Sequence, residues 1–287
     1  MNTKSLRILV TGGAGRVGSL AVRILAKHGH IVNVFDLPTA NFGRVDSLNN
    51  VKIFKGDLLT LKNLERACQG IDVALHLAAI LPPASELNAK QTMSVNATGT
   101  ANLVETLRSQ SSASIVFSSS VSVYGRTKDR EPPVTVRNPL KPTDNYSRSK
   151  IAAELAIEEG SVPYTILRVT GVYTAELFEF PSPVQFQADQ RVEFIDRDDA
   201  VSALVTAVEK TPRNRVLNIA GGETWRMKGI EFVEGVFNAL GFVGEVDYPL
   251  EPGYFDWYDT EESERLLNYQ RTSFGHYKTE LANAFNI

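Results

Sequence analysis

A tyrosine and a lysine four residues apart, Tyr146 and Lys150, are the pair in this sequence best suited to proton transfer. The surrounding pattern predicts a helix over residues 145–159, which places both side chains on one face. An ammonium group beside a phenol favours phenolate and lowers the phenol pKa from about 10 towards the range of a general acid or base. The same spacing also occurs in ordinary surface pairs, so it needs support from elsewhere in the chain.

A run of serines, Ser118 to Ser120, follows the strand predicted over residues 114–117. Doubly wound sheets bind their ligands beyond the carboxyl ends of the strands. A serine hydroxyl at that edge could therefore hydrogen-bond the oxygen of a reacting alcohol or ketone. Such a run is otherwise only a turn, and its meaning depends on the rest of the site.

Residues 11–18 read Thr-Gly-Gly-Ala-Gly-Arg-Val-Gly and join the first predicted strand to the first predicted helix. They satisfy both Gly-x-Gly-x-x-Gly and Gly-x-x-Gly-x-x-Gly. Glycines permit a tight turn and close approach of a pyrophosphate, while the helix N-terminus supplies free N–H groups and a positive dipole end. In this strand–turn–helix context the pattern predicts a dinucleotide site. The residues predicted to hold the cofactor there are Gly12, Gly15, Arg16, Val17 and Gly18.

Asp36 ends the second predicted strand, where a carboxylate can accept both hydroxyls of an adenosine ribose. The same charge would repel a 2′-phosphate, so the sequence favours NAD over NADP. Arg16 and Arg44 are cations that could tolerate a 2′-phosphate, and NADP therefore stays open as the less favoured cofactor.

Short apolar runs alternate with helical patterns through the first part of the chain. This alternation predicts an α/β fold with a doubly wound, Rossmann-like parallel sheet. The predicted strands are 6–10, 31–35, 51–54, 71–77, 114–117 and 163–167. The predicted helices are 17–28, 61–68, 91–108 and 145–159.

The pattern loosens after Tyr173. We predict a dinucleotide-binding domain over residues 1–170 and a smaller α/β cap over 171–287, which could interleave with the first domain. Residues 178–183 hold two prolines and predict a loop. The strands predicted in the cap are 192–195, 216–219 and 243–248. The helices predicted there are 198–210, 228–240 and 261–267.

Composition narrows the classes of partner. The 287 residues have a net charge of -3, which argues against binding nucleic acid. One cysteine excludes an internal disulfide framework, and four scattered histidines give no metal site. No apolar run approaches the ~20 residues that cross a bilayer, and the polar first residues are unlike a signal peptide. We expect a cytoplasmic protein that acts on a small molecule.

Taken together, these motifs resemble the extended short-chain dehydrogenase/reductase family, in its NAD-dependent epimerase/dehydratase group. The matching segments are 11–18, 56–58, 76–79 and 118–125, with Asn96, Tyr146 and Lys150. The resemblance implies Ser120, Tyr146 and Lys150 as the catalytic triad, and a homodimer through the helices over 91–108 and 145–159. The further residues that it implies against the cofactor are Asp57, Leu58, Leu77, Ala78, Ala79, Asn96, Ser118, Tyr146, Lys150, Thr170 and Val172.

Several positions depart from the nucleotide-sugar members of that family. Gly171 stands where those members carry an Asn that contacts the substrate phosphate, and Val192 stands where they carry an Arg. Glu251 replaces the Arg of an Arg-Pro-Gly segment, and the stretch between Tyr173 and Phe194 is shorter. The site for a nucleotide diphosphate is therefore expected to be depleted, unless Arg137, Arg168 or Arg191 compensates.

The leading hypothesis is an NAD-dependent oxidoreductase. It would transfer hydride between the nicotinamide and a carbinol or ketone of a small hydroxy compound, a sugar or a sugar acid. One alternative is a UDP-sugar epimerase that retains its NAD, and another is a non-catalytic dinucleotide-sensing regulator. The acidic pair of sugar 4,6-dehydratases is replaced by Val121 and Ser122, which argues against dehydration.

Overall fold

The structure is a computed structural model that describes residues 5–110, 113–176 and 184–286. Seven strands form one sheet in the order β3-β2-β1-β4-β5-β6-β10. Their bounds are β1 Arg7–Thr11, β2 Ile31–Asp36, β3 Val51–Lys55, β4 Val73–His76, β5 Ser114–Ser120, β6 Tyr164–Val169 and β10 Arg215–Ile219. The pairs β1–β2, β2–β3, β1–β4 and β4–β5 are parallel. The chain order reverses between β1 and β4, which confirms the predicted doubly wound α/β fold.

Ten α-helices lie among the described residues. They are α1 Arg16–Lys27, α2 Leu61–Ala67, α3 Ala84–Leu87, α4 Ala89–Met93, α5 Gly99–Gln110, α6 Asn145–Glu159, α7 Arg197–Lys210, α8 Gly229–Ala239, α9 Glu261–Leu267 and α10 Phe274–Ala284. Four short strands form two further sheets: β8 (Arg191–Glu193) pairs with β11 (Arg226–Lys228), and β7 (Val172–Tyr173) pairs with β9 (Ile195–Asp196).

The chain divides into two compact units. The first unit contains residues 1–119, 144–167 and 204–216, and the second contains 120–143, 168–203 and 217–287. Apolar faces of α2, α5 and α6 bury Leu64, Leu103 and Ile157 in the core of the first unit, together with strand residues such as Ile115. The second unit has its own core, in which aromatic side chains predominate. Its largest buried members are Trp225, Phe186, Phe194, Phe232 and Tyr277.

Most of the predicted elements form. The helix predicted over 91–108 is built from α4 and α5 joined by a π-helical turn, Ser94–Thr98, so it is not a regular α-helix throughout. The strand predicted over 216–219 forms as β10, at the edge of the main sheet beside β6.

In the C-terminal region one prediction is wrong, and one helix was not predicted. The strand predicted over 243–248 is wrong, because this segment pairs with no strand among the described residues and leaves the Val243 side chain 98% exposed. Helix α10 was not predicted, although Phe274, Tyr277 and Leu281 follow a helical spacing and are buried. The loop predicted over 178–183 lies outside the described residues.

Candidate active site

Two glycines of the turn, Gly12 and Gly18, have no room for a side chain. Gly12 has a φ of +70°, and a Cβ added to it would lie 2.8 Å from the backbone nitrogen of Ala78. A Cβ on Gly18 would lie 2.1 Å from the carbonyl oxygen of Gly12. The turn is therefore packed backbone against backbone between β1 and the segment that follows β4.

This turn fits a dinucleotide phosphate. Gly15 is the N-cap of α1 and has no side chain with which to occupy the first N–H groups of the helix. Arg16, Val17 and Gly18 form the first turn, which carries no acidic residue. An exposed helix N-terminus of this kind attracts anions through its N–H groups and its dipole. The residues present thus suit the group that the sequence predicted.

Asp36 lies at the end of β2, beside the same turn. Its carboxylate accepts the N–H of Ala14 at 3.0 Å and the N–H of Leu37 at 2.8 Å. These bonds hold a partly exposed carboxylate next to the glycine turn. Its remaining lone pairs can accept hydroxyl groups of a ribose.

The segment after β4 runs along the turn. Leu77 donates its N–H to the carbonyl of Thr11 at 3.1 Å, and Leu77, Ala78 and Ala79 are half-buried. Asn96, in the π-helical turn, accepts the N–H of Ile80 at 2.7 Å. The Asn96 amide also donates to Ser149 of α6 at 2.9 Å, so it links this segment to the helix that carries the predicted acid/base pair.

Asp57 and Leu58 follow β3. The Asp57 carboxylate accepts the N–H of Leu59 at 2.9 Å and closes a local turn. Leu58 is buried, and Asn102 of α5 donates to its carbonyl at 3.0 Å. A Cβ on Gly99 would lie 2.9 Å from the Leu58 side chain, so α5 packs tightly here.

The structure brings Tyr146 and Lys150 together on one face of α6. The Lys150 ammonium lies 5.6 Å from the centre of the Tyr146 ring and 4.6 Å from the centre of the Phe117 ring. It donates to the carbonyl of Ser118 at 2.8 Å. The Tyr146 side chain is half-buried, whereas Lys150 is only 2% exposed. A half-buried tyrosine therefore lies beside a buried cation.

Burial lowers the pKa of Lys150 to about 7, although the nearby Glu154 carboxylate acts in the opposite direction. His76, at the end of β4, is fully buried between the hydroxyls of Thr11, at 2.6 Å, and Thr100, at 2.8 Å. Burial, and then the charge of Lys150, lower the pKa of His76 to about 3. The imidazole is therefore neutral and serves as a structural link, so Lys150 is the cation here.

Glu154 was not among the predicted site residues. It lies one helical turn after Lys150, is 2% exposed and accepts the hydroxyl of Ser119 at 2.5 Å. Lys150 and Glu154 thus connect α6 to two successive serines at the end of β5. The spacing of four residues was a signal that could have identified this carboxylate.

Three predicted site residues belong to the second unit. Ser120 ends β5, and its hydroxyl accepts the N–H of Ser122 at 3.2 Å. Thr170 is buried and donates its hydroxyl to the carbonyl of Glu193 at 2.6 Å. Val172 is 40% exposed and pairs with Ile195. The Thr170 hydroxyl is therefore already used within the protein.

The positions that depart from nucleotide-sugar members also lie in the second unit. A Cβ on Gly171 would lie 2.9 Å from the Phe194 ring and 3.3 Å from the Phe255 ring. An asparagine could not replace Gly171 unless Phe194 moved. The absence of that side chain is thus part of the packing.

Two of the arginines expected to compensate have structural partners. Arg191 forms an ion pair with Asp256 at 2.5 Å and donates to two backbone carbonyls. Arg168 is buried and donates to the hydroxyl of Tyr124 at 3.0 Å.

Glu251 pairs with Arg126 at 2.7 Å. Arg137 is exposed.

The second unit also contains a cavity of about 790 Å³ between residues 221–226 and 259–273. Acidic residues and arginines both line it, and the predicted site residues are not among its lining residues. Within the described ranges, no group of three or more His, Cys, Asp or Glu side chains could hold a metal ion. None of the described helices is both long and apolar enough to cross a membrane.

The sheet order, with the glycine turn between β1 and α1, defines a Rossmann-type dinucleotide-binding protein. A family model described as the NAD dependent epimerase/dehydratase family matches residues 8–185. The chain therefore belongs to this family, as its motifs predicted. The family is NAD dependent, which confirms the predicted cofactor at the level of the family.

Comparison with individual proteins gives the same grouping. A UDP-glucose 4-epimerase of Lactobacillus helveticus is 34% identical over 177 residues, covering 58% of this chain and 52% of that protein. The human sterol-4-alpha-carboxylate 3-dehydrogenase, decarboxylating, is 30% identical over 175 residues, covering 60% of this chain and 44% of that protein. The matched part thus spans about half the length of these curated relatives.

A solved structure is similar over the whole chain. The crystal structure of a short-chain dehydrogenase/reductase superfamily protein from Agrobacterium tumefaciens, with bound NAD, has a TM-score of 0.80. The sequence identity is 22%, and the match covers 98% of this chain and 97% of that chain. At this identity the similarity establishes the fold.

Proposed function

We propose that this protein is an NAD-dependent oxidoreductase that transfers hydride between the nicotinamide and a carbinol or ketone. Tyr146 is the general acid/base, Lys150 stabilises its phenolate, and Ser120 hydrogen-bonds the reacting oxygen. The observation that carries this proposal is the buried Lys150 ammonium, 5.6 Å from the ring of a half-buried tyrosine. Membership of a family of NAD-dependent enzymes supports it.

In the oxidation direction, an alcohol loses a proton from oxygen and a hydride from carbon. Bound NAD supplies the hydride acceptor. Tyr146 takes the hydroxyl proton, and the Lys150 charge stabilises the phenolate that does so. Since the pKa of Lys150 is lowered to about 7, the pair loses its first proton near neutral pH. The form with a Tyr146 phenolate and a Lys150 ammonium holds as many protons as the form in which both groups are neutral. The apparent pKa therefore belongs to both groups.

The glycine turn and Asp36 are proposed to bind the two ends of the adenosine diphosphate half of NAD. The first turn of α1 binds the pyrophosphate, and the Asp36 carboxylate accepts the ribose hydroxyls. The other proposed cofactor contacts are Asp57, Leu58, Leu77, Ala78, Ala79, Asn96, Ser118, Thr170 and Val172.

We propose a small substrate without a nucleotide diphosphate, such as a hydroxy compound, a sugar or a sugar acid. A larger residue at Gly171 would displace Phe194, and Arg168 and Arg191 already bind groups of the protein. Glu251 stands where nucleotide-sugar members carry an arginine, and its carboxylate pairs with Arg126. The human relative is named for a sterol carboxylate and not for a nucleotide sugar.

A UDP-sugar epimerase is the second candidate. It is favoured by the epimerase of Lactobacillus helveticus, the more similar of the two relatives described above, and by the exposed Arg137, a cation that could meet a diphosphate. An epimerase keeps its NAD and returns the hydride, whereas a dehydrogenase releases NADH. A homodimer through α5 and α6, and a cytoplasmic location, stay predictions.

The test is a panel of thermal-shift and NADH-release measurements on the purified protein. Its components are NAD, NADP, UDP-sugars, free sugars and sugar acids. We expect NAD-linked turnover with a compound that lacks a nucleotide, and loss of that turnover in Tyr146→Phe. Stabilisation by a UDP-sugar without NADH release would favour the epimerase. A Tyr146→Phe variant that retains full turnover would refute the proposed acid/base role.

A further inference from the structure

The start of α6 is held by two carboxylates. Asp144 is the N-cap, and its side chain accepts the N–H of Ser147 at 2.6 Å. The N–H groups of Asn145 and Tyr146 are instead accepted by the two oxygens of Glu86, at 3.0 and 3.1 Å. Glu86 is distant in sequence, so the first turn of the helix is tied to a separate segment of the chain.

Glu86 is itself fixed. It lies on α3, and the hydroxyl of Ser85 donates to its Oε1 at 2.9 Å. Burial acts to raise the pKa of Glu86, but hydrogen bonds from Asn145, Ser85 and Tyr146 lower it overall, so the group is a carboxylate at neutral pH. A negative charge at a helix N-terminus is favourable because it lies at the positive end of the helix dipole.

We propose that Glu86 is a positioning residue for Tyr146: its carboxylate fixes the backbone of that residue and places a negative charge beside it. This inference rests on the proposed acid/base role of Tyr146. Glu86 accepts the N–H of Tyr146 itself, whereas the Asp144 cap accepts the N–H of the following residue, Ser147. Glu86 thereby connects the phenol-bearing residue to the segment that follows the cofactor-lining residues 77–79.

Other charges act on the same region. Lys150 and Glu154 lie on α6, and His76 of β4 is neutral next to Lys150. Arg148, also on α6, attracts Glu86. The Lys150 ammonium and the Glu86 carboxylate have opposite effects on a phenolate at residue 146, so removal of the Glu86 charge should make that phenolate more favourable.

The test is an ultraviolet difference titration of tyrosinate on the full chain, which requires no substrate. Each protein is compared with its own Tyr146→Phe partner to isolate residue 146. We expect Glu86→Gln to lower the phenol pKa of Tyr146 by about 0.4 of a pH unit, the effect of one charge at about 8 Å in a well-solvated site. Burial raises the pKa of Tyr173 and Tyr269, which keeps their signals at higher pH.

The matched control is Glu159→Gln, which removes the same charge from the other end of α6. Thirteen residues at 1.5 Å each place it about 20 Å from Tyr146, beyond the Debye length of about 10 Å at 0.1 M salt. Its titration should match that of the unmodified protein.

Amide hydrogen exchange gives the second measurement. In Glu86→Ala, the N–H groups of Asn145 and Tyr146 should exchange faster than in the unmodified protein. The inference would be overturned if exchange became faster in Glu86→Ala while the phenol pKa of Tyr146 stayed unchanged in Glu86→Gln. Glu86 would then be a structural cap only. An unchanged titration and unchanged exchange would do the same. Neither result depends on turnover, so the Tyr146→Phe assay still tests the proposed function separately.

Discussion

At the scale of single residues, burial of the Lys150 ammonium decides the chemistry of the site. A solvated lysine would remain charged until far above neutral pH. Here the ammonium has one backbone acceptor, two aromatic rings nearby and a buried carboxylate one turn away. The proton of the pair therefore becomes mobile near neutral pH, at a cost to the stability of the fold.

That cost can be measured with Lys150→Met. The pKa of Lys150 is lowered in the folded chain, so the destabilisation is complete below about pH 7 and disappears as pH rises towards 10.5. At about 1.4 kcal/mol per pH unit, its upper bound is about 5 kcal/mol. The unfolding free energy of Lys150→Met relative to the unmodified protein should be highest near pH 6 and decline up to pH 10. The exposed Lys90→Met should show no such trend in chemical denaturation.

Asp36 should control the choice between NAD and NADP. Asp36→Asn keeps an oxygen for the Ala14 N–H but loses the charge, so the fold should be little affected. Charged hydrogen bonds contribute about 1.5–3 kcal/mol, so the preference for NAD should fall about 10- to 100-fold. Dissociation constants for both cofactors measure this. Asp46→Asn, an exposed charge in the following loop, is the control, and an equal loss there would contradict the assignment.

Residue types and spacing predicted much of this site. Tyr146, Lys150 and the glycine turn could be found because their chemistry depends on neighbours along the chain. Glu86 could not, since it meets α6 from a segment about sixty residues earlier. The partners of His76 were similarly hidden, because Thr11 and Thr100 come from two other elements.

At the scale of elements, periodicity predicted what local sequence determines. The bounds of α6 and α9 match the predictions at both ends. The apolar periodicity did not predict the π-helical turn. A π-turn differs from an α-turn by one extra residue, which changes the backbone hydrogen bonds and leaves the apolar composition of the segment the same. The strand predicted over 243–248 was wrong because, among the described residues, no strand pairs with this segment.

The start of β7 offers a test at this scale. Gly171→Asn restores the side chain of nucleotide-sugar members but places its Cβ against Phe194. Overpacking of this kind costs about 1–3 kcal/mol. Phe194→Leu alone should also destabilise, because Phe194 contacts Tyr173, Phe232 and Phe255. In urea unfolding, the double variant should be more stable than the sum of the single effects predicts, by about 1 kcal/mol or more. Simple additivity would show that the close contact does not limit this position.

At the scale of the whole molecule, the order of the strands differs from their order in the chain. β10 joins the sheet beside β6, although three other strands lie between them in sequence. The apolar pattern of residues 216–219 predicted a strand but carried no information on its neighbours. The division of the chain near residue 170 stays a prediction.

The chain passes five times between the two compact units, and β5, β6 and β10 each contribute residues to both. Loss of structure in the second unit would therefore remove the ends of three strands of the main sheet. We expect one calorimetric unfolding transition, with equal calorimetric and van't Hoff enthalpies. NAD at 100 times its dissociation constant adds about 2.7 kcal/mol, which raises the midpoint by about 5 °C for a chain of this size. Two resolved transitions, with only one shifted by NAD, would show instead that the units unfold independently and that the cofactor binds one of them alone.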